Sequence, residues 1–175
     1  MTTLGRLTLE SVGTAFSSAI TLPSTFNIGS GVTSLTIGKT TNDKDITLSN
    51  AIGIAGPITV YGGDIKLTGS KSITTTNANI SLISKGNIFS EVGASVSSGT
   101  GNILFASDSD GTGGGAIELA TTSLTTSGGN ITLGGGNTSG TGYAEGTSTV
   151  WYNASQRGVY LSGSTLNAGG GNIGI

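Results

Sequence analysis

None of the 175 residues is histidine or cysteine. Imidazole-activated serine or cysteine nucleophiles, imidazole or thiolate metal sites and disulfide staples are therefore excluded together. Nine carboxylates remain. A lyase or hydrolase acting on polysaccharide would gather acids and bases on one external face. The outward strand positions expected here are Thr47, Thr59, Lys66, Ser81, Glu118 and Thr132, with no acidic cluster among them. No catalytic residue is assigned and no enzyme is expected. In Ser107-Asp108-Ser109-Asp110-Gly111, carboxylates alternate beside glycine, a pattern that can chelate Ca²⁺ through Asp108 and Asp110. A third acidic ligand and the Gly-Gly-x-Gly-x-Asp nonapeptide are missing, so a solvated loop is the first expectation, and no cofactor is expected. Asn42-Asp43-Lys44-Asp45 reads the same way.

Residues 134–157 hold no Ile or Leu but contain Tyr143, Glu145, the only Trp (Trp151), Tyr152 and Arg157. Extra residues on a repeat scaffold emerge as loops on one face, where binding groups concentrate. An exposed Trp with tyrosines and an arginine would suit a sugar ring, so Tyr143, Trp151, Tyr152 and Arg157 form the candidate ligand-binding set. The alternative is that Val150 and Tyr152 continue a core while Trp151 covers a groove. The sequons at Asn137 and Asn153 are expected by chance in a chain this rich in Asn, Ser and Thr.

The elements that hold these residues follow from composition and periodicity. Only 9% of residues are charged and 32 are glycine, whereas hydrophobic residues make up 34%. Ser, Thr, Val, Ile and Gly all disfavour helix, and no window offers helical apolar periodicity, so the chain is expected to be all-β. A net charge of −2 leaves no basic footprint for nucleic acid. No apolar run is long enough for a membrane span, and no signal peptide is expected at the start of the chain.

Short apolar–x–apolar segments recur with first residues at Ile58, Ile65, Ile73, Ile80, Ile88, Val96 and Ile103, in steps of 7 or 8. The beat resumes at Ile117, Leu124 and Ile131 and again at Val159, Leu166 and Ile173. Upstream it is kept by Ile20, Ile28 and Leu35 and more loosely by Ile46 and Ile52. Strands this brief cannot hold a core singly and must coil, each stacking about 4.8 Å above its counterpart. Three arms would give a coil of about 21–23 residues, placing Ile58, Ile80, Ile103 and Leu124 in one column. Two arms would stack Ile103, Ile117 and Ile131. Three are preferred because they enclose a fuller interior, giving roughly eight coils and a rod about 38 Å long. One domain, residues 1–175, is expected, with an excursion at 134–157. Gly-Asn pairs precede Ile88, Ile103, Ile131 and Ile173, so Asn87, Asn102, Asn130 and Asn172 are candidate structural corners. Gly and Asn tolerate the positive φ of sharp turns. Corner formation alone is the first expectation for these Asn residues, with a continuous Asn ladder as the alternative.

The stretch Ser123-Leu124-Thr125-Thr126-Ser127-Gly128-Gly129-Asn130-Ile131-Thr132-Leu133 resembles the repeats of filamentous-haemagglutinin-type adhesins, as does Ser164–Ile173. The likeness covers roughly residues 45–133 and 158–175. It implies a right-handed parallel β-helix, a secreted or cell-surface location in Gram-negative bacteria, and a structural and adhesive shaft segment of a longer protein. Expected partners are host or environmental surface glycans or proteins, or neighbouring β-helix segments stacked end to end. Two alternatives stand beside it. A self-assembling extracellular filament would use bare β-edges. An ice-binding β-solenoid would need flat Thr-x-Thr ranks, and Lys66, Leu104 and Glu118 are expected to interrupt them.

Overall fold

A computed structural model describes residues 5–23, 28–29, 31–146 and 157–175. Its named elements are all strands, and no helix among the described residues is long and apolar enough to cross a membrane. An incomplete first turn carries β1 (Gly5–Leu9) and β2 (Ile20–Leu22). Five complete turns follow: β3 (Val32–Ile37), β4 (Ile46–Leu48) and β5 (Ile52–Ile54); β6 (Ile58–Gly62), β7 (Ile65–Leu67) and β8 (Ser72–Thr75); β9 (Ile80–Ser84), β10 (Ile88–Ser90) and β11 (Ser95–Ser97); β12 (Ile103–Ser107), β13 (Ile117–Ala120) and β14 (Ser123–Thr125); β15 (Ile131–Gly135), β16 (Val159–Ser162) and β17 (Thr165–Asn167). The last strand is β18 (Ile173–Gly174).

The strands form three parallel sheets. The first runs β1-β3-β6-β9-β12-β15-β18, the second β2-β4-β7-β10-β13-β16, the third β5-β8-β11-β14-β17. Three arms therefore close each turn, and the molecule is a parallel β-solenoid. Register keeps the anchors in line. Leu35, Ile58, Ile80, Ile103, Ile131 and Ile173 stack in the first sheet. Ile20, Ile46, Ile65, Ile88, Ile117 and Val159 stack in the second. Ile52, Ile73, Val96, Leu124 and Leu166 stack in the third. All of these anchors from Leu35 to Ile131 are buried in one continuous core, each worth about 1.5–3 kcal/mol when buried. Ile28 lies in no strand but packs against that core.

Three expectations are corrected. Leu124 does not sit above Ile103; it belongs to the third sheet, and Ile131 occupies the place above Ile103. The two-arm column fails as well, because Ile117 stacks on Ile88 in the second sheet. Five complete turns replace eight because residues 38–45 and 108–116 are spent at corners and the connection from β15 to β16 is long. Seven strands in the first sheet make a stack of about 29 Å at a spacing of about 4.8 Å.

Every long connection in the complete turns lies at one corner, between the first and second sheets. The others, such as 121–122 and 126–130, are short. Corners between the third and first sheets are closed from inside by buried hydroxyls. Thr75, Ser98 and Thr126 each donate to the carbonyl three residues on, at 2.5 Å. Gly101 and Gly129, in the Gly-Asn pairs, are not in the left-handed region, contrary to expectation. A Cβ there would collide with the backbone of the corner below, at Ala78 and Gly101 respectively. Positive φ falls just before them, at Gly99 (58°) and Gly128 (109°).

Candidate functional site

Two corners are stitched by side-chain carbonyl oxygens. Between the third and first sheets, Asn79 Oδ1 accepts the Asn102 N–H (2.9 Å), Asn102 Oδ1 that of Asn130 (2.8 Å), and Asn130 Oδ1 that of Asn172 (2.9 Å). Main-chain bonds double each rung: Ile80 donates to the Asn102 carbonyl, Ile103 to that of Asn130 and Ile131 to that of Asn172, each at 2.9 Å. Asn87 lies elsewhere, at the corner between the first and second sheets, in a separate ladder. There Asp45 Oδ1 accepts the Asp64 N–H (2.8 Å), Asp64 Oδ1 accepts the Asn87 N–H (2.7 Å) and Asn87 Nδ2 (3.1 Å), and Asn87 Oδ1 accepts the Ala116 N–H (2.9 Å). Burial raises the Asp64 carboxyl above its ordinary range, the Asn87 N–H opposes this and Asp45 adds to it.

The first ladder borders a groove of about 220 Å³ on the outer face of the first sheet. Asn79, Asn102 and Asn130 form one wall, Ser81, Leu104 and Thr132 the floor, and Ile103 and Ser139 complete the lining. No lining residue is charged. Because each ladder oxygen is held by a backbone N–H, which can only donate, the amide nitrogens are the free ends of Asn79, Asn102 and Asn130. These three residues are exposed.

Ser139 is placed by a loop that folds back over the sheet. Gly135 donates to the Gly142 carbonyl (2.9 Å), and the Asn137 carboxamide bonds Thr141 Oγ1 (2.8 Å) and both the Ser139 N–H (3.0 Å) and hydroxyl (2.8 Å). The sequon Asn at 137 thus organises its own loop. Tyr143 is 88% exposed and lines a neighbouring groove with Thr132, Gly140 and Ile175. Arg157 stacks on Tyr160 at 5.0 Å from the ring centre. Trp151 and Tyr152 lie outside the described residues.

Asp108 is buried at the start of the 108–116 corner with φ 48°, and its Oδ1 has no hydrogen-bond partner among the described residues. Burial raises its carboxyl above the ordinary range, and the negative charges of Asp110 and Glu145 raise it further. Asp110 accepts the Thr112 N–H at 3.3 Å. Among the described residues, no group of three His, Cys, Asp or Glu side chains could hold a metal ion.

The residues expected to interrupt Thr ranks stand on different faces. Lys66 and Glu118 are on the second sheet, where Lys66 pairs with Glu91 at 2.7 Å and Glu118 is buried. Leu104 is on the first sheet. From β8 to β17 the third sheet carries two outward ranks, Ser72, Ser95, Ser123, Thr165 and Thr74, Ser97, Thr125, Asn167, all uncharged, while Gly53 of β5 stands beside Thr74.

Compared with known proteins, the chain matches no family model, no curated protein and no solved structure. Its fold defines the class that can be stated: a β-solenoid repeat protein.

Proposed function

We propose that the chain is a structural and adhesive shaft segment of a large secreted bacterial surface protein, non-catalytic and bound to surface glycans or proteins. The observation that carries this reading is the contrast between a constant stack and one variable corner. The anchors keep register through five turns, while the insertions gather where the first sheet meets the second. A rod that presents varied loops along one edge suits projection and contact. The stack can also meet a further β-helix segment end to end through its strand edges. Display on a non-adherent bacterium, through an unrelated anchor, tests the role. Attachment to coated glycan and matrix-protein surfaces is expected to rise several-fold over cells carrying the anchor alone. Equal attachment, with the chain folded, would end the adhesive reading.

The uncharged hydroxyl ranks of the third sheet favour a second reading, an ice-binding solenoid. Its measurement is thermal hysteresis: a freezing-point gap abolished by Thr125→Lys supports it, and no gap in the native chain removes it.

A further inference from the structure

The geometry points to the groove beside the Asn79–Asn130 ladder as a binding site for a neutral, unbranched polysaccharide lying along the rod axis, an inference that rests on the adhesive reading. Three features converge. First, the ladder is a device for orientation as well as for stability. Each rung fixes the oxygen of a carboxamide against a backbone N–H, so its amide donors are held at the groove's edge without the entropy of a free side chain. Second, the donors repeat once per turn, about 4.8 Å apart, so a chain of like units can meet like contacts. Third, the lining is wholly uncharged and mixes hydroxyls and amides with the apolar Leu104. That matches the alternating hydroxyl edges and C–H faces of a neutral sugar and offers no cation to a uronate or sulfate. A protein segment seeking a sheet edge would find none there, because the first sheet is paired on both sides of β12.

The test is affinity electrophoresis of the whole chain in gels containing a linear neutral glucan, mannan or galactan, with alginate as the charged comparison. Retardation by at least one neutral polymer and not by alginate is expected. Asn102→Asp keeps an oxygen for the Asn130 N–H but replaces the amide donor with a charge, and should weaken that retardation at least tenfold with an unchanged circular dichroism spectrum. Ser81→Glu, on the groove floor away from the ladder, should do the same and stands in if Asn102→Asp fails to fold. Val92→Ala, exposed at the corner between the second and third sheets, should leave retardation as in the native chain. No retardation by any of the three neutral polymers, stronger retardation by alginate, or folded groove variants that bind like the native chain would each overturn the site. Should the site fail while displayed cells still attach, the adhesive reading survives without it.

Discussion

At the scale of single residues, the corners ask for an acceptor rather than for a particular side chain. The position before the first Ile of a strand presents Oδ1 to the N–H of the next turn, and an ionised carboxylate accepts as well as an amide does. Asp45, Asp64 and Asn87 therefore serve one ladder, and four asparagines the other. A carboxylate in that place carries a cost that an amide does not. Burial raises the Asp64 carboxyl, so the folded state holds its proton to higher pH than the unfolded chain does. Stability from this group is then lost as pH rises through the carboxylate range and stays lost at neutral pH. Asp64→Asn is expected to be more stable than the native chain at neutral pH, with the difference closing in acid. Asp64→Ala leaves the Asn87 N–H without its acceptor and should cost about 1–3 kcal/mol. Urea melts of the three proteins across pH check both; a pH-independent gap for Asp64→Asn would contradict the argument. The Gly-Asn pairs made half of this legible in the sequence. Asn79 and Asp45 lack the preceding glycine, and Asp64 follows Gly63 but is not an asparagine; all three were missed because a Gly-Asn turn rule is narrower than the physical requirement, which is an oxygen. The dipeptide Asp-Ile or Asn-Ile is the signal that would have found them.

At the scale of elements, strands and corners are independent. The arms keep register whether the corner between first and second sheets is 63–64 or 108–116. This is why the seven-residue beat revealed the arms but misassigned a column. Ile103 to Ile117 spans 14 positions, which the beat reads as two arms and the fold uses as one arm with a long corner. The candidate sugar set was obscured for a similar reason. Aromatic residues drew attention to 134–157, while the groove is built from Asn, Ser and Thr whose significance appears only when separate turns are stacked. Independence has a direct consequence. Replacing 108–116 by Lys-Gly-Asn, the corner that joins β9 to β10, should leave the sheets intact: Ser107 and Ile117 occupy the places of Ser84 and Ile88 one turn on. The exchange also removes the buried Asp108 carboxylate, so thermal unfolding at neutral pH should be unchanged or higher. A loss of cooperative unfolding would mean that the long corner helps to hold the stack.

At the scale of the whole molecule, the solenoid is a one-dimensional stack in which each turn packs mainly on its neighbours. The sequence made its all-β character and repeated arms plain, but overcounted the turns because corner residues are indistinguishable from arm residues when length alone is divided. The stack makes a turn removable as a unit. Deleting 80–102 excises β9, β10 and β11 and joins Asn79 to Ile103, which then follows an Asn as it does natively. Ile103 should settle on Ile58, Ile117 on Ile65 and Leu124 on Ile73, since each was separated from that partner by one excised strand. Lys66 would come beside Glu118, replacing its lost partner Glu91 with another carboxylate. The shortened chain should keep a parallel-sheet circular dichroism spectrum and a single cooperative melt. Small-angle scattering should show the same cross-section and a length reduced by about 4.8 Å. Deleting 80–94 instead places the third-sheet strand β11 where a first-sheet strand belongs, so every later arm is shifted by one side of the coil. That chain should lose its cooperative melt, because the long connections from β12 to β13 and from β15 to β16 would then join the wrong sheets. If both deletions behaved alike, the turn would not be the unit from which this protein is built.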